Sequence, residues 1–478
     1  MKLALLILDG FGLPIKYSKY IKKLYENKLS CKLGAAENFV GLPKKVMGNS
    51  EIGHLNIGGG REFQHILLKI NDTIKKKEFS KINEIQNIKK RLNQNKSNLH
   101  IIGMYSESGV HSHLNHLKEL IKTFELYNIK LHIITDGRDT DKKSAKKYID
   151  KINNIIKNKK IEFTSISGRF YAMDRDKRWE RTKKFYNILF KKGNKLNTYS
   201  QIIKESYKKK LLDEFLIPTK LTQTKIEKND EIIFFNFRED RMRQIVSSFQ
   251  NKFKEFKTNK IKLNITTMYD YEDKIKFKSL FKKIELKNTL SQIISKNKLK
   301  QLKIAESEKY AHVTYFFNGG QEKKFKNENR IIIASPKVKT YDQSPKMSAK
   351  QITDHIIKNE NKFDIIIANF ANADMVGHTG NINATKQAVE YLDVCIKKIV
   401  KTLNKKTKIL ITADHGNCEN MKGKWNKSHT LSKVPFILLN TNYKKIKSEN
   451  ASLKNIAPTI LKLLNIKKSK EMNTKSLI

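Results

Sequence analysis

Residues 3–12 of the chain read LALLILDGFG, six apolar residues followed at once by Asp9 and Gly10. A short apolar run that ends on turn residues predicts a buried β-strand, because a strand covered on both faces needs apolar side chains at every position. The run is far shorter than a membrane span, and the aspartate without a small-residue cleavage pattern argues against a secretion signal. We therefore expect the chain to open with a strand of an α/β fold.

Comparable apolar runs recur along the chain and alternate with longer amphipathic stretches, a pattern typical of α/β proteins. Further strands are predicted at 99–104, 130–134, 232–237, 331–334, 364–368, 408–412 and 435–439. A helix is predicted at about 384–403, where apolar residues recur at helical spacing with lysines on the other side. The chain is thus expected to be α/β through most of its length.

The 478 residues exceed what one compact core usually holds, so two domains are expected. Polar segments rich in lysine and asparagine, near 72–97 and 283–300, are interpreted as joints between them. The three cysteines, Cys31, Cys395 and Cys418, are widely separated and give no disulfide framework, which favours a reducing cytoplasm.

The chain is strongly basic, with 97 Lys and Arg against 47 Asp and Glu and a formal net charge of +50. Such a charge is typical of nucleic-acid-binding proteins. Here, however, the lysines are scattered, while Lys, Asn and Ile are frequent everywhere and Pro and Gly are scarce. This pattern favours compositional drift in a genome rich in A and T, and nucleic-acid binding stays open as the alternative.

Several segments supply side chains of the kinds that bind metals. They are Asp9 in LDGFG, Ser50 in MGNSEIGH, Asp374 and His378 in NADMVGH, Asp414 and His415 in TADHGN, and His429 in SHT. Taken singly, an aspartate before glycine is usually a turn residue and a lone histidine is usually structural. Together, mixed carboxylate and imidazole ligands suit Mn²⁺ or Zn²⁺, and their number suits two neighbouring ions.

Ser50 lies in the glycine-bracketed turn GNSEIG and is the natural nucleophile of this set. A free serine hydroxyl is a poor nucleophile at neutral pH, but a coordinated metal lowers the proton affinity of a bound oxygen. A second ion can neutralise the oxygens of a phosphoryl group. We therefore predict phosphoryl transfer through Ser50, while a turn or helix cap is the structural alternative for this residue.

A second constellation lies between residues 71 and 283 and is rich in arginine, although the chain draws most of its positive charge from lysine. It comprises His111, Arg138, Asp139, Arg169, Arg175, Arg238 and Arg241. Arginine offers a planar fork for carboxylate and phosphate, so the cluster predicts a small anionic substrate. The alternative is a set of structural salt bridges with interleaved acids such as Asp174 and Asp240.

With these residues assembled, the sequence closely resembles the cofactor-independent phosphoglycerate mutases of the alkaline phosphatase superfamily. The matching motifs, in family order, are LDGFG, MGNSEIGHLNIGGGR, GVHSHLNHL, DGRDT, GRFYAMDRDKRWERT, FFNFREDR, EKYAHVTYFFNGG, NFANADMVGHTGN and TADHGN. The resemblance implies an alkaline-phosphatase-like α/β sandwich with a second α/β domain inserted. It assigns metal binding to residues 1–70 with 284–478, and substrate binding and transfer to residues 71–283.

The resemblance also implies a role for each residue. One Mn²⁺ would be held by Asp374, His378 and His429, and the other by Asp9, Ser50, Asp414 and His415. Ser50 would carry the phosphoryl group from 3-phosphoglycerate to 2-phosphoglycerate, a step of glycolysis and gluconeogenesis, without bisphosphoglycerate.

Asp139 would act as general acid and base, and Lys309 in EKY would steady the phosphoryl group. The substrate would be bound by His111, Arg138, Asp139, Arg169, Arg175, Arg238, Arg241 and Lys309. The family further implies a monomer with no specific nucleic-acid or membrane partner.

The chain departs from the family pattern in a few places, none of them at a proposed ligand. The segment between Gly12 and Gly41 is compressed, and Glu239 and Ala373 replace prolines of the usual motifs. A phosphatase or phosphopentomutase would share the metal motifs but not the arginine-rich insert. The insert therefore favours the mutase over these rivals.

Overall fold

The computed structural model describes residues 2–63, 66–193, 198–271, 275–283, 286–421, 423 and 426–478. The chain divides into two compact units, which are Met1–Leu68 with Ile284–Ile478 (unit 1) and Lys69–Lys283 (unit 2). Unit 2 is thus inserted in the sequence of unit 1. The sequence-based boundaries are 70/71 and 283/284, and the metal-binding and substrate-binding roles assigned to the two domains stay predictions.

The strands among the described residues are β1 (Leu3–Leu8), β2 (Leu29–Leu33), β3 (Leu99–Tyr105), β4 (Ile129–Thr135), β5 (Ile161–Gly168), β6 (Thr219–Lys220), β7 (Glu231–Phe234), β8 (Asn264–Tyr269), β9 (Lys278–Phe281), β10 (Gln301–Glu306), β11 (Glu328–Ile333), β12 (Ile365–Phe370), β13 (Lys408–Thr412) and β14 (Val434–Leu439). The α-helices are α1 (Lys19–Asn27), α2 (Ser50–Gly59), α3 (Ile66–Lys75), α4 (Asn83–Asn95), α5 (Leu114–Thr123), α6 (Ala145–Ile156), α7 (Arg169–Ala172), α8 (Trp179–Phe190), α9 (Tyr199–Lys208), α10 (Arg243–Ser247), α11 (Leu290–Lys296), α12 (Ala349–Asn359), α13 (Asn372–Gly377), α14 (Ile382–Thr402) and α15 (Ile456–Leu463). Short 3₁₀ turns and one π-helical turn, His312–Phe316, complete the described secondary structure.

Unit 1 is built on a seven-stranded sheet with the order β11-β10-β12-β1-β13-β14-β2. The five strands from β11 to β13 are parallel, while β14 is antiparallel to both of its neighbours. Every residue of β1 and β12 is buried, as expected of central parallel strands covered by helices on both faces. The carboxyl ends of β10, β12, β1 and β13 therefore meet at one edge of the sheet, where ligands bind in open α/β folds.

The compressed segment after the first strand forms regular structure in unit 1. Its helix α1 buries Ile21 and Leu24, and the carboxylate of Asp393 on α14 accepts from the backbone N–H groups of Tyr20 at 2.9 Å and Ile21 at 2.8 Å. Those two bonds satisfy donors that a helix N-terminus leaves unpaired. The segment also contains β2, which pairs with β14 as an edge strand.

Unit 2 is built on a second seven-stranded sheet, with the order β6-β5-β4-β3-β7-β8-β9. All neighbouring strands are parallel except β5 and β6. The strand order runs outward from β3 in both directions, through β4 and β5 on one side and through β7, β8 and β9 on the other. This reversal makes the carboxyl ends of β3 and β7 a topological switch point, the usual ligand crevice of such sheets.

The predicted α/β class with an inserted second domain is confirmed, and the strands and the helix that were predicted lie close to observed ones. Helix α14 spans Ile382–Thr402 against the expected 384–403, and β13 has the expected bounds. The interpretation of 72–97 as a joint is wrong, because most of that segment is helical and α4 buries Ile85, Ile88 and Leu92. Of the described helices, none is long and apolar enough to cross a bilayer.

The buried histidine His116 on α5 makes unit 2 sensitive to acid. Its Nε2 donates to Asn71 Oδ1 at 2.9 Å, and burial lowers the pKa of His116 to about 3. An unfolded histidine titrates near pH 6.5, so between about pH 6.5 and 3 the unfolded chain binds a proton that the fold does not. The free energy of unfolding therefore decreases as pH falls through this window, by roughly 1.4 kcal/mol per pH unit for this residue.

We expect the thermal midpoint of wild-type protein to fall from pH 7 to pH 5 more steeply than that of His116→Gln. The glutamine amide keeps an N–H donor for Asn71 but takes up no proton in this range. Circular dichroism melts of both proteins in one buffer series test this. Parallel slopes for the two proteins would contradict the assignment.

Candidate active site

Polar side chains follow four neighbouring strands of unit 1 where each strand ends. Asp9 follows β1, Lys309 follows β10, Asp374 follows β12 and Asp414 follows β13. All four side chains are almost completely buried. Gly10 has a φ of +72°, and a Cβ there would lie 2.7 Å from Cβ of Asp374, so only glycine lets these two loops meet. The parallel sheet thus gathers residues that are up to about 400 positions apart in the sequence.

Ser50 is the first residue of α2 and points its hydroxyl into this cluster. The helix is capped by Asn49, whose side chain accepts from Ile52 N at 2.9 Å, so the cap role that sequence alone left open for Ser50 belongs to its neighbour. Ser50 Oγ donates to Asp9 Oδ1 at 3.1 Å and lies 2.9 Å from His415 Nε2. The hydroxyl is therefore held by ionisable groups at the positive end of a helix, a location that favours a negative charge.

Lys309 brings a buried ammonium group to the serine. Its Nζ donates to Asp9 Oδ1 at 2.6 Å, Asp374 Oδ2 at 2.7 Å and Ser50 Oγ at 2.8 Å. Burial disfavours the charged form, but the carboxylates of Asp374 and Asp9 outweigh it and raise the pKa of Lys309 above its ordinary value. Burial also disfavours the charged form of Asp9, which by itself would raise the pKa of this carboxyl. Lys309 and His415 nevertheless hold the pKa of Asp9 below the usual range.

Asp374, His378 and His429 form the first candidate metal-ligand group. His378 Nδ1 donates to the carbonyl oxygen of Lys427 at 2.8 Å, and His429 Nδ1 donates to that of Gly48 at 2.9 Å. Since carbonyl oxygens only accept, these bonds fix the tautomers and leave a lone pair on both Nε2 atoms of the neutral rings. The two Nε2 atoms lie 3.0 Å apart and 3.2 and 3.4 Å from Asp374 Oδ1. Three acceptors that converge in this way are the donor set of a cation site.

Asp9, Asp414 and His415 form the second candidate group, with ligand atoms within 4.8 Å of one another. Asp414 Oδ2 is buried and accepts no hydrogen bond from the described residues. His54 Nδ1, 3.2 Å from that oxygen, donates instead to the carbonyl oxygen of Ser50 at 2.9 Å. A buried carboxylate oxygen left without a donor is costly, and a bound cation would remove this cost.

Side chains that sequence reasoning missed hold these ligands in place. Asn369 Nδ2 donates to Asp9 Oδ2 at 2.7 Å, and Asn417 Nδ2 donates to Asp374 Oδ1 at 2.8 Å. Both residues lie inside quoted motifs, NFANADMVGH and TADHGN, but amides carry no metal-ligand signal of their own. His54 was also missed. Its position four residues after Ser50 places both residues on one face of a helix, and this spacing could have identified it as a neighbour of the nucleophile.

Arg169 is the centre of the arginine-rich cluster in unit 2. Its buried guanidinium donates to Asp136 Oδ1 at 2.7 Å and to Asp139 Oδ2 at 2.5 Å, and it lies 3.1 Å from His111 Nε2. These residues follow β3, β4 and β5, so the carboxyl ends of the strands gather them. Burial and the cation of Arg169 together lower the pKa of His111 to about 4. His111 is therefore a neutral imidazole at physiological pH.

Asp240 organises the second half of the cluster, on the loop after β7. It pairs with Arg175 at 2.9 Å and Arg238 at 3.3 Å, and its Oδ1 lies 3.6 Å from His111 Nδ1. The alternative of pairing with interleaved acids therefore holds for these two arginines. Both nevertheless keep about half of their side-chain surface exposed, 49% for Arg175 and 48% for Arg238, so part of each remains accessible to a ligand.

The remaining arginines converge on the same place. Burial lowers the pKa of Arg241, and the guanidinium groups of Arg175, Arg169 and Arg138 lower it further, while Asp240 opposes them. Such mutual repulsion requires the four cations to be near neighbours. A doubly anionic ligand would relieve that repulsion. All seven predicted residues of this insert therefore form one cluster, and all eight predicted residues of unit 1 form another.

The comparisons with known proteins agree on one family. The family model described as the metalloenzyme superfamily matches residues 1–468. The 2,3-bisphosphoglycerate-independent phosphoglycerate mutase of Antithamnion sp. is 47% identical over 99% of this chain and 98% of its own length. The protein of that name from Clostridium botulinum is 44% identical over the same shares.

The fold is also that of a solved structure. A crystal structure of Leishmania mexicana phosphoglycerate mutase at low cobalt concentration matches with a TM-score of 0.72 and 24% identity, covering 100% of this chain and 97% of the other. The alkaline-phosphatase-like architecture expected from the sequence is thereby confirmed. The chain belongs to the metalloenzyme superfamily and, within it, to the family of 2,3-bisphosphoglycerate-independent phosphoglycerate mutases, which are isomerases.

Proposed function

We propose that the protein interconverts 3-phosphoglycerate and 2-phosphoglycerate without a bisphosphoglycerate cofactor, by passing the phosphoryl group through Ser50. The observation that carries this proposal is the environment of Ser50 Oγ, which lies within 3.1 Å of Asp9, His415 and Lys309 at the start of α2. A hydroxyl so surrounded is oriented for attack and has positive charge beside it. The names of the relatives, at 42–47% identity for the first four, support the same reaction.

The donor sets of unit 1 fit two divalent metal ions, and we propose Mn²⁺ for both. Asp374, His378 and His429 would hold one ion, and Asp9, Ser50, Asp414 and His415 the other. The fixed tautomers of His378 and His429 and the undonated Asp414 Oδ2 support this assignment. Mixed oxygen and nitrogen ligands suit Mn²⁺ better than Mg²⁺. When bound, the ions would supply the acidity that activates the serine oxygen and the charge that neutralises phosphoryl oxygens.

In the first half of the reaction, Ser50 Oγ attacks the phosphorus of 3-phosphoglycerate. The bond from phosphorus to Oγ forms and the bond to the O3 oxygen of glycerate breaks. Asp9 Oδ1, which accepts the Oγ–H hydrogen bond at 3.1 Å, takes up that proton as Oγ attacks and returns it to Oγ when the phosphoryl group leaves. The ammonium of Lys309, 2.8 Å from Oγ, offsets the charge on the phosphoryl oxygens during transfer.

Across both halves of the reaction, Asp139 exchanges protons with the glycerate hydroxyls, and the arginines of unit 2 hold the glycerate. Asp139 donates a proton to O3 as it leaves and accepts one from O2, which then attacks the phosphoserine. Arg169, 2.5 Å from Asp139 Oδ2, fixes that carboxylate and stabilises its anionic form between the two proton transfers. The arginine cluster binds the substrate carboxylate, so glycerate is retained between the two transfers. Neither water nor a second phosphate donor takes part in the reaction.

We expect purified protein to form 2-phosphoglycerate from 3-phosphoglycerate with Mn²⁺ and no bisphosphoglycerate, as followed by ³¹P nuclear magnetic resonance. Prior treatment with a chelator should abolish turnover, because it removes the metal ions from both ligand sets. Added Mn²⁺ should restore turnover. Release of inorganic phosphate in place of 2-phosphoglycerate would identify a phosphatase instead. Full activity after exhaustive chelation would contradict the metal assignment.

We further propose that the enzyme acts as a monomer in the cytoplasm. The three cysteines are free and buried, which is consistent with a reducing compartment. Size-exclusion chromatography with light scattering would measure the mass in solution, and a dimer mass would contradict the monomer.

A further inference from the structure

Glu419 is a buried carboxylate beside the candidate metal site, and none of the roles described so far uses it. It lies four residues after His415, and only 4% of its surface is exposed. Removing a carboxylate from water costs several kcal/mol unless hydrogen-bond donors replace the solvent. The donors that surround Glu419 therefore indicate why it is there.

Its carboxylate receives donors from the loop after β1 and from two well-separated parts of the connection between β13 and β14. Oε2 accepts from the backbone N–H groups of Gly12 at 3.2 Å and Asn417 at 2.9 Å, and Oε1 accepts from the Thr430 hydroxyl. Among the described residues, no lysine or arginine nitrogen lies within 4 Å of these oxygens. The carboxylate thus acts as a bridge between loops and not as one half of an ion pair.

Each donor is a close chain neighbour of a proposed metal ligand. Gly12 is three residues after Asp9, Asn417 is two residues after His415, and Thr430 directly follows His429. The Asn417 side chain in addition donates to Asp374 Oδ1 at 2.8 Å. One carboxylate therefore joins the loops that carry ligands of both candidate groups.

The backbone segments near Glu419 approach its side chain closely. A Cβ on Gly12 would lie 2.3 Å from Glu419 Cδ, so any larger residue in the loop after β1 would have to displace the carboxylate. The backbone N–H of Thr430 also donates to Gly416 O at 3.0 Å, which joins the segment that carries His429 to the segment that carries His415. Loss of the carboxylate would leave the Gly12 and Asn417 donors without their acceptor.

We propose that Glu419 is a positioning residue for the metal centre, which sets the segment that carries His429 against the segment that carries His415 and against the loop that carries Asp9. The inference rests on the metal binding proposed above. Groups that orient metal ligands without touching the ion contribute about 10- to 100-fold to metal affinity. The affinity for Mn²⁺, and not only the stability of the fold, is therefore expected to depend on Glu419.

The test compares Glu419→Ala with Glu419→Gln in the full chain, with Mn²⁺ affinity measured by competition against a chelating dye. Alanine removes all three acceptor contacts and should raise the Kd for Mn²⁺ by about 10- to 100-fold. Glutamine is expected to stay within about threefold of wild type. Its carbonyl oxygen can accept from both backbone N–H groups, and its amide can donate to the Thr430 hydroxyl.

Thr430→Val serves as the matched variant, because it removes one of the three contacts and leaves the carboxylate in place. It should weaken Mn²⁺ binding less than Glu419→Ala does, and the double variant should be no weaker than Glu419→Ala alone. Melts in excess chelator report the stability of the fold separately. If Glu419→Ala does not fold, an unchanged Kd in folded Thr430→Val overturns the proposal.

Two other outcomes are decisive. A lower melting midpoint of Glu419→Ala in chelator, with a wild-type Kd for Mn²⁺, would make Glu419 a purely structural residue and overturn the proposal. Wild-type protein that binds no Mn²⁺ would instead overturn the proposed metal chemistry, and this role with it. The wild-type titration therefore separates failure of the function from failure of the inference.

Discussion

Replacing Ser50 with alanine is expected to lower kcat by more than about 10⁴-fold, since loss of a covalent nucleophile removes the reaction path itself. The substitution deletes a single oxygen atom, which contacts Asp9, His415 and Lys309. Asn49 caps α2, so the helix should persist. The dissociation constant for 3-phosphoglycerate should stay within about threefold of wild type, because the arginine cluster is untouched. Initial rates by coupled assay and binding by calorimetry measure the two quantities.

Ser30→Ala is the matched control for this variant. It also removes one serine hydroxyl of unit 1, which donates to the carbonyl oxygen of Tyr25, but it lies on the edge strand β2. Its activity should equal that of wild type. More than a tenth of wild-type turnover in Ser50→Ala would show that the phosphoryl group does not pass through Ser50.

Replacing Arg169 with methionine is expected to destabilise unit 2 by about 3 kcal/mol and to lower kcat/KM by about 10²- to 10³-fold. The guanidinium lies between Asp136 and Asp139, and Asp136 is only 2% exposed. Methionine fills a similar volume but leaves buried negative charge without its partner. Arg169→Lys keeps the charge and loses the planar fork, so its losses should be intermediate. Denaturant titrations and steady-state kinetics give the two quantities.

Arg181→Met separates the two effects. Arg181 is also a partly buried arginine of unit 2 that pairs with an acid, Asp174 at 3.4 Å, and it lies over the ring of Phe170 at 3.7 Å. Its loss should lower stability and leave KM for 3-phosphoglycerate unchanged. If Arg169→Met changes stability alone, in the same way as Arg181→Met, then Arg169 takes no part in substrate binding.

The strands that sequence predicts best are those whose burial shows in their own composition. LALLIL is a continuous apolar run and KILIT has three consecutive apolar residues at its centre, and β1 and β13 have the expected bounds. By contrast, β10 carries Lys303 and β5 carries Thr164 and Ser165, and neither was predicted. Lys303 and Ser165 are buried together with distant side chains that satisfy them. Lys303 bonds to Asn318, and Ser165 Oγ lies 2.8 Å from His132 Nδ1. A local apolar pattern contains no information about such partners.

The candidate site shows the same limit. Carboxylates and imidazoles are common metal ligands, so Asp374 and His378 could be proposed as ligands from the sequence alone. The two side chains lie together in the structure. Asn369 donates to the Asp9 carboxylate, and Glu419, the proposed positioning residue, accepts from the backbone of Gly12, and in each pair the two residues are far apart in the sequence. Only the sheet topology, which joins the ends of distant strands, reveals these roles.

A crossover experiment shows whether the phosphoryl group returns to the same glycerate from which it came. Equal amounts of unlabelled 3-phosphoglycerate and 3-phosphoglycerate carrying both ¹³C in glycerate and ¹⁸O in the phosphoryl group are converted with Mn²⁺ and without bisphosphoglycerate. Mass spectrometry of the early 2-phosphoglycerate should find the two labels together in one molecule or both absent. Molecules that carry only one of the labels would mean that the phosphoryl group moves between substrates, and would contradict the account.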